Sequence, residues 1–160
     1  MGAPKKSYLL KAGDIKKMEK RFSHPWNPKS EIIGTRLAAK TGLKRTGVNI
    51  AAIPPGKESF VYHAHQFEEE WIYILSGNGV AEIDGKEYKV GPGDFMGFPT
   101  PGVAHNMRND GKKDLVYLMG GESREHEMVE YPKLGRKLIR TEDKVEVLKV
   151  SDLKDFKFWE

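Results

Sequence analysis

The sequence contains no cysteine. Disulfides, thiolate metal sites and a cysteine nucleophile are therefore excluded, and any bound metal must rely on His, Asp or Glu. It also lacks a long apolar run, since nothing approaches the roughly 20 residues that a membrane-spanning helix needs. Behind the lysines of the N-terminal stretch MGAPKKSYLLKAGD stand only Tyr8, Leu9 and Leu10, too short an apolar segment for a secretory leader. These absences predict a cytoplasmic protein with no membrane partner. Neither sign of charge forms a block. The 27 basic and 23 acidic residues are mixed along the chain and leave a net charge of +4, without the basic stretch and interleaved aromatics that would predict a nucleic-acid partner. No internal repeat is visible, which argues against a duplicated barrel.

What is present suits one domain: 160 residues, 38% of them hydrophobic, a size that buries roughly two-thirds of the unfolded surface. Residues 1–44 read as an irregular N-terminal extension packing on the rest of the domain. Within it, residues 14–22 (DIKKMEKRF) predict a short helix, stopped by Pro25 and Pro28, where missing amide hydrogens discourage regular structure. From Thr46 the texture changes to short β-type runs separated by turn signals. The runs are VNIAAI, SFVYHAH, WIYIL, VAEI, KEYKV, DFMGF, VAHNM and DLVYLM, punctuated by PPG, SGNG, DG, GPG, PTPG and NDG. Asp84-Gly85 predicts a two-residue hairpin, because a type I′ turn needs positive φ at both central residues.

So many short antiparallel runs over residues 45–120 predict an all-β jelly roll or small closed barrel, an architecture that limits exposed sheet edges. Past Gly120 the pattern loosens through GGESREHEMVEYPKLG, and VEVLKV at 145–150 reads as one more strand. Residues 121–160 are thus a C-terminal loop and strand extension of the same domain. Within them Tyr131-Pro132 is a candidate lid over the barrel mouth.

The stretch HAHQFEEEW, residues 63–71, carries the first chemistry. In a β-strand His63 and His65 point to one face while Tyr62 and Ala64 point to the other, so two imidazoles can reach one ion. By itself the pair fits two partly exposed strand histidines equally well. Glu68, Glu69 and Glu70 could supply a charged oxygen ligand, and they also suit a solvated turn.

A second segment, residues 93–109 (GDFMGFPTPGVAHNMRN), bears on that choice. Its Gly93, Pro99, Gly102, His105 and Asn109 resemble the second signature of the cupin superfamily. Gly56, His63, His65, Glu70 and Gly77 resemble the first. Together the two signatures and the strands between them span about 55 of the 160 residues. The spacer from Gly56 to His63 and the Pro-Thr-Pro-Gly turn each carry one residue more than the family pattern, and turns tolerate such insertions.

The resemblance implies a double-stranded β-helix, the cupin jelly roll, and a metal site of His63, His65, Glu70 and His105. Glu70 is preferred because six residues separate it from Gly77; Glu69 is the alternative. Three neutral imidazoles and one carboxylate suit one divalent transition metal ion (Zn, Fe, Mn, Ni or Cu) with positions left open for water or a ligand. Ligation requires unprotonated histidines, so metal loss is expected below about pH 6.

On the ligands' parity, Ile72, Ile74 and Met107 are expected to line an apolar pocket, with plain core packing as the alternative. Asn109 is expected to serve a turn. His24 and His126 have no ligand-spaced neighbours and read as surface or locally bonded residues. Arg36, Lys57 and Arg108 are the basic residues available for an anionic substrate, or are solvated cations.

The wider chain is similar to single-barrel bacterial cupins often labelled sugar-phosphate isomerases by analogy. Three functions are implied by the resemblance: a metal-dependent isomerase acting on a small oxygenated metabolite, an Fe-dependent dioxygenase, or a non-catalytic module that captures a small molecule. No general base outside the ligand set is identifiable. The family further implies a homodimer, with the terminal strands as candidate swapped elements.

Overall fold

Alternating apolar residues need two surfaces to pack between, and from Thr46 onward the strands form them. A computed structural model describes residues 7–155. Residues 1–6 and 156–160, the tips of the two extensions, lie outside the described residues. In chain order the elements are α1 (Ala12–Lys17), β1 (Lys20–Phe22), β2 (Ile32–Arg36), α2 (Leu37–Thr41), β3 (Thr46–Ile53), β4 (Ala64–His65) and β5 (Glu70–Ser76). Next come β6 (Gly79–Ile83), β7 (Lys86–Val90), β8 (Phe95–Phe98), β9 (His105–Arg108) and β10 (Leu115–Glu122). The last strands are β11 (Glu127–Tyr131), β12 (Arg136–Arg140) and β13 (Val145–Lys149). No described helix is long and apolar enough to cross a membrane.

One sheet runs in the order β1-β2-β3-β10-β5-β8, and two smaller ones run β13-β12-β11-β4 and β7-β6-β9. The smaller sheets are stitched together by an antiparallel bridge between His63 and His105. Its two hydrogen bonds are His63 N to His105 O at 3.1 Å and His105 N to His63 O at 2.8 Å. The main apolar cluster draws Ile53, Ile72, Ile74 and Leu115 from the large sheet and Ala81, Val90 and Met107 from the β7-β6-β9 sheet. This is the all-β jelly roll expected of a cupin. Burying one such aliphatic side chain contributes about 1.5–3 kcal/mol.

The turns obey local chemistry. Asp84 and Gly85 have φ of 48° and 73°, as the hairpin between β6 and β7 requires. Gly77, in the turn between β5 and β6, has φ of 82°, and a Cβ there would lie 2.2 Å from the Asp114 carbonyl oxygen. Both the backbone conformation and the space demand glycine.

Four expectations are corrected. The helix expected over 14–22 forms only over Ala12–Lys17, and Lys20–Phe22 instead pairs with β2. No residue of α1 is buried, so little packing is available to extend it, while β2 offers backbone partners. The run at 59–65 is strand only at Ala64–His65. Ahead of it the backbone is satisfied irregularly, with Ser59 N bonding Met107 O at 2.8 Å and Phe60 O accepting from Asn27 Nδ2 at 2.8 Å.

The segment after Gly120 is not loose, because β11 and β12 form within it and pair with each other. Tyr131 is no lid. It ends β11, is 6% exposed, and packs edge-on against Trp26 at 5.1 Å in a side cluster with Val61 and Val129. The strand expected at 145–150 forms as β13 and pairs with β12, Val145 opposite Arg140 through Lys149 opposite Arg136.

Candidate metal centre

Strand alternation sets up the site. His63 and His65 share a face, while Tyr62 and Ala64 turn the other way and pack with Ala104. Glu70 and His105 are the first residues of β5 and β9, so both project where the layers open. Glu70 comes from the large sheet and the histidines from the stitched pair of smaller sheets. The two layers thus meet at this carboxylate.

The geometry is convergent. Glu70 Oε2 lies 3.0 Å from His105 Nε2 and 3.5 Å from His65 Nε2. A nitrogen of His63, an oxygen of Glu70 and a nitrogen of His105 all lie within 4.8 Å of one another. His63 donates from Nδ1 to the Val61 carbonyl at 2.8 Å, and His105 donates from Nδ1 to the Val103 carbonyl at 3.0 Å. Those bonds hold both rings in the tautomer whose Nε2 carries a lone pair. Phe98 stacks on the His105 ring at 3.6 Å with a 5° interplanar angle and fixes its plane. Three imidazoles and one buried carboxylate, with two tautomers already set by carbonyls, fit a divalent transition metal ion.

The other glutamates lie off the Glu70–His105 contact, Glu68 grouping instead with His65 and Glu127. Glu69 is exposed, and Glu68, although 7% exposed, accepts from the Arg124 amide at 2.6 Å and from the Arg140 guanidinium. Of the three, Glu70 is the one brought to both His65 and His105.

Electrostatics separates the histidines. Burial lowers the His63 pKa to about 3, with the neighbouring His105 acting in the same direction. For His65, burial opposes protonation, but the hydrogen bond and charge of Glu70, with Glu127 and Glu68 behind them, outweigh it and raise the pKa. Burial would raise the Glu70 pKa, yet hydrogen bonds from His105 and His65 pull it well below the usual carboxylate range. Of His63 and His65, it is therefore His65 that takes up a proton first as the pH falls.

These shifts set the pH dependence of the metal-free protein. His63 titrates lower folded than unfolded, so the unfolded chain binds more protons between pH 6.5 and about 3. Its contribution is complete above pH 6.5 and is lost as the pH falls through that window; the lowered Glu70 adds a loss below its ordinary 4.5. His65 has the opposite sign, stabilising below its unfolded value and less so as pH rises through its raised one. Thermal unfolding midpoints should fall as the pH drops from 6.5 towards about 4, inside the His63 window, and His63→Gln should flatten that slope. Equal slopes in the two proteins would refute the assignment.

A narrow cavity with room for about one water molecule adjoins the cluster. Its walls include His63, Glu70, His105, Ile72, Met107, Met119 and Tyr117. Ile74 is fully buried in the apolar cluster instead of on this wall. On the outer side, a groove reaches His65 and Glu70 between Met119, Glu68, Glu69 and Glu122.

Sequence reasoning does not single out Tyr117. It is 1% exposed, and its hydroxyl has no hydrogen-bond partner; burial and then the Glu70 charge push its pKa up. The available signal is a tyrosine on the same parity as Leu115 and Met119 in DLVYLM, an inward position where a hydroxyl needs a partner.

The basic residues lie elsewhere. Arg108 holds Glu87 through two bonds of 2.6 and 2.8 Å, Lys57 sits 3.6 Å from Glu31, and Arg36 is exposed. His24 accepts from the Trp26 amide at 3.3 Å, and His126 is exposed.

Residues 49–121 match the Cupin domain family. Over 100 residues the chain is 33% identical to the oxalate-binding protein of Thermotoga maritima, covering 61% of this chain and 81% of that one. Among solved structures it is similar to a protein of Acidithiobacillus ferrooxidans that carries the provisional name sugar phosphate isomerase. The identity is 34%, the TM-score 0.89, and 94% of this chain and 97% of that chain are covered. A cupin-superfamily sugar phosphate isomerase from Silicibacter pomeroyi shares the fold at TM-score 0.76 and 21% identity, over 86% of this chain and 92% of that one. The matched domain and a jelly roll shared over nearly the whole of both chains lead to one assignment: this chain belongs to the cupin superfamily.

Proposed function

We propose that the protein binds one divalent transition metal ion through His63, His65, Glu70 and His105 and acts there on a small oxygenated metabolite. The observation that carries the reading is that three of these donors, His63, Glu70 and His105, share one narrow cavity with the unpartnered Tyr117 hydroxyl, while His65 reaches Glu70 from the outer groove. When bound, such an ion supplies Lewis acidity and open positions for an oxygen of the substrate. The Tyr117 hydroxyl would donate a hydrogen bond to a substrate oxygen that enters the cavity. Its raised pKa keeps it a donor and unsuited to the role of base. Ile72, Met107 and Met119 exclude water around the reacting end.

The size and charge of the site narrow the substrate. With room for about one water molecule in the cavity, only the tip of a molecule enters it. No lysine or arginine is among the described residues lining the cavity or the outer groove. A phosphate would meet glutamates there, whereas a hydroxycarbonyl or short carboxylic acid has the ion and Tyr117 as partners. A sugar-phosphate isomerase reading therefore needs a phosphate grip from outside this cavity; isomerisation of an unphosphorylated hydroxycarbonyl does not.

One observation favours a second reading, capture without turnover: the relative from Thermotoga maritima is named for binding oxalate. Metal analysis and mass spectrometry of the purified protein, followed by incubation with oxalate and short hydroxyaldehydes, test both. Metal-dependent conversion supports the enzyme, and metal-dependent binding without conversion supports capture. Oxygen uptake that requires Fe(II) would instead make it a dioxygenase. Failure to bind any metal would overturn all three. Tyr117→Phe should weaken small-acid binding about tenfold to a hundredfold, the worth of one hydrogen bond to a charged group, with metal content unchanged. Unaltered affinity would remove Tyr117 from the site.

A further inference from the structure

Two of the three histidines have their Nδ1 satisfied by the carbonyl two residues upstream, Val61 for His63 and Val103 for His105. His65 does not copy them. Its corresponding carbonyl belongs to His63, and that oxygen already accepts from the His105 amide at 2.8 Å. The His65 Nδ1 is buried and has no hydrogen-bond partner.

The side chain facing it is Glu127, the first residue of β11. Glu127 Oε1 lies 3.8 Å from His65 Nδ1, and the Glu127 side chain is 0% exposed. Pairing of β11 with β4, Val129 opposite His65, brings it there. Oε1 also accepts from the backbone amides of Gln66 at 2.9 Å and Phe67 at 3.3 Å, which anchors the carboxylate. Oε2 is buried without a partner. Two orphaned polar atoms therefore belong to adjoining residues, and a shift of about 1 Å would close the contact to charge-assisted hydrogen-bond length. Among the described residues, His65 is the one basic side chain within 4.0 Å of the Glu127 carboxylate.

We propose that Glu127 is a positioning residue that holds His65 with its proton on Nδ1 and its Nε2 turned toward the ion. The inference rests on the metal reading above. Glu127 serves His65 as backbone carbonyls serve the other two rings, with one difference: it is charged. A carboxylate behind an imidazole makes the ring a stronger donor and reduces the positive charge at the centre. The ion would thereby feel a second anion that never touches it.

The test uses the full chain loaded with zinc. Wild type, Glu127→Gln, Glu127→Ala and, as a control for the neighbouring carboxylate, Glu68→Gln are titrated with zinc, and the imidazole nitrogens are followed by long-range 15N–1H correlation. The expected wild-type spectrum has a His65 Nδ1–H proton protected from exchange. Glu127→Gln keeps the shape but replaces an acceptor by a donor; it should shift that proton and weaken zinc about tenfold, and Glu127→Ala should lose the proton and weaken zinc up to about a hundredfold. Glu68→Gln should leave the His65 signal in place.

Zinc affinity and a His65 signal unchanged in both Glu127 variants would overturn the proposal while leaving the metal site standing. Two zinc ions per wild-type chain, falling to one in Glu127→Gln, would also overturn it, because His65, Glu68 and Glu127 would then be cradling an ion of their own. No zinc on wild type would overturn this inference together with the metal reading. A Glu127→Ala that fails to fold leaves the decision to Glu127→Gln.

Discussion

Replacing His63 and His65 together by alanine is expected to empty the protein of metal, from about one ion per chain to background. The two side chains are two of the four proposed donors; of the others, Glu70 Oε2 is 3.5 Å from His65 and 3.0 Å from His105. What remains, His105 and Glu70, is a two-ligand site open to water and too weak to retain an ion through purification. The fold should survive. The bridge that joins the smaller sheets runs through the His63 and His105 backbones, which alanine preserves, and neither histidine belongs to the main apolar cluster. His126→Ala, at an exposed position outside the cluster, is the matched control and should keep its metal. Elemental analysis of the three proteins side by side decides the matter: equal metal in the double variant and wild type would sink the site.

The second large effect is on stability. Asn109→Ala is expected to cost about 3–5 kcal/mol, measured by urea unfolding. The Asn109 side chain is fully buried and bonds in three directions. Its Nδ2 donates to the Ile53 carbonyl at 2.7 Å and to the Lys113 carbonyl at 2.8 Å, and its Oδ1 accepts from Gly111 N at 2.9 Å. It thereby ties the end of β3 to the turn that leads into β10, neighbours in the large sheet. Alanine removes every one of these partners at once and leaves the buried Ile53 carbonyl and the partly buried Lys113 carbonyl and Gly111 amide without them. Each such group costs roughly 1–3 kcal/mol. Asn109→Asp should lose nearly as much, because a carboxylate keeps the acceptor for Gly111 but cannot donate to two carbonyls. A loss under about 1 kcal/mol in the alanine variant would show that the turn re-forms its bonds by other means.

Asn109 also shows why a motif residue need not touch the chemistry. It shares a signature with His105, yet His105 faces Glu70 while Asn109 closes a turn. Spacing alone records that both are needed, and partners reveal for what. The same distinction separates Ile72 from Ile74. Both point inward on one strand face, but one lines the cavity beside the histidines and the other is sealed in the core.

Local physics was legible from residue order. Absent cysteine excluded thiolate sites, alternation announced strands, Asp84-Gly85 announced its hairpin, and the two glycine-framed histidine segments announced a place where imidazoles gather. Each is a property of a few neighbouring residues. The failures were of the opposite kind. The strand at 59–65 dissolved because long-range partners, Met107 and Asn27, satisfied its backbone irregularly. Lys20–Phe22 became strand because β2 was alongside.

Only the tertiary structure decided which glutamate meets His105, that the Tyr117 hydroxyl stands unpaired in the cavity, and that Glu127 lies behind His65. These facts depend on register between strands far apart in the chain; Glu127 bonds the amide of Gln66, 61 residues before it. A pattern of period two states that a side chain points inward. Which inward-pointing side chains share a volume is set by packing of whole layers against each other, a free-energy minimum over many contacts that no short stretch of sequence contains.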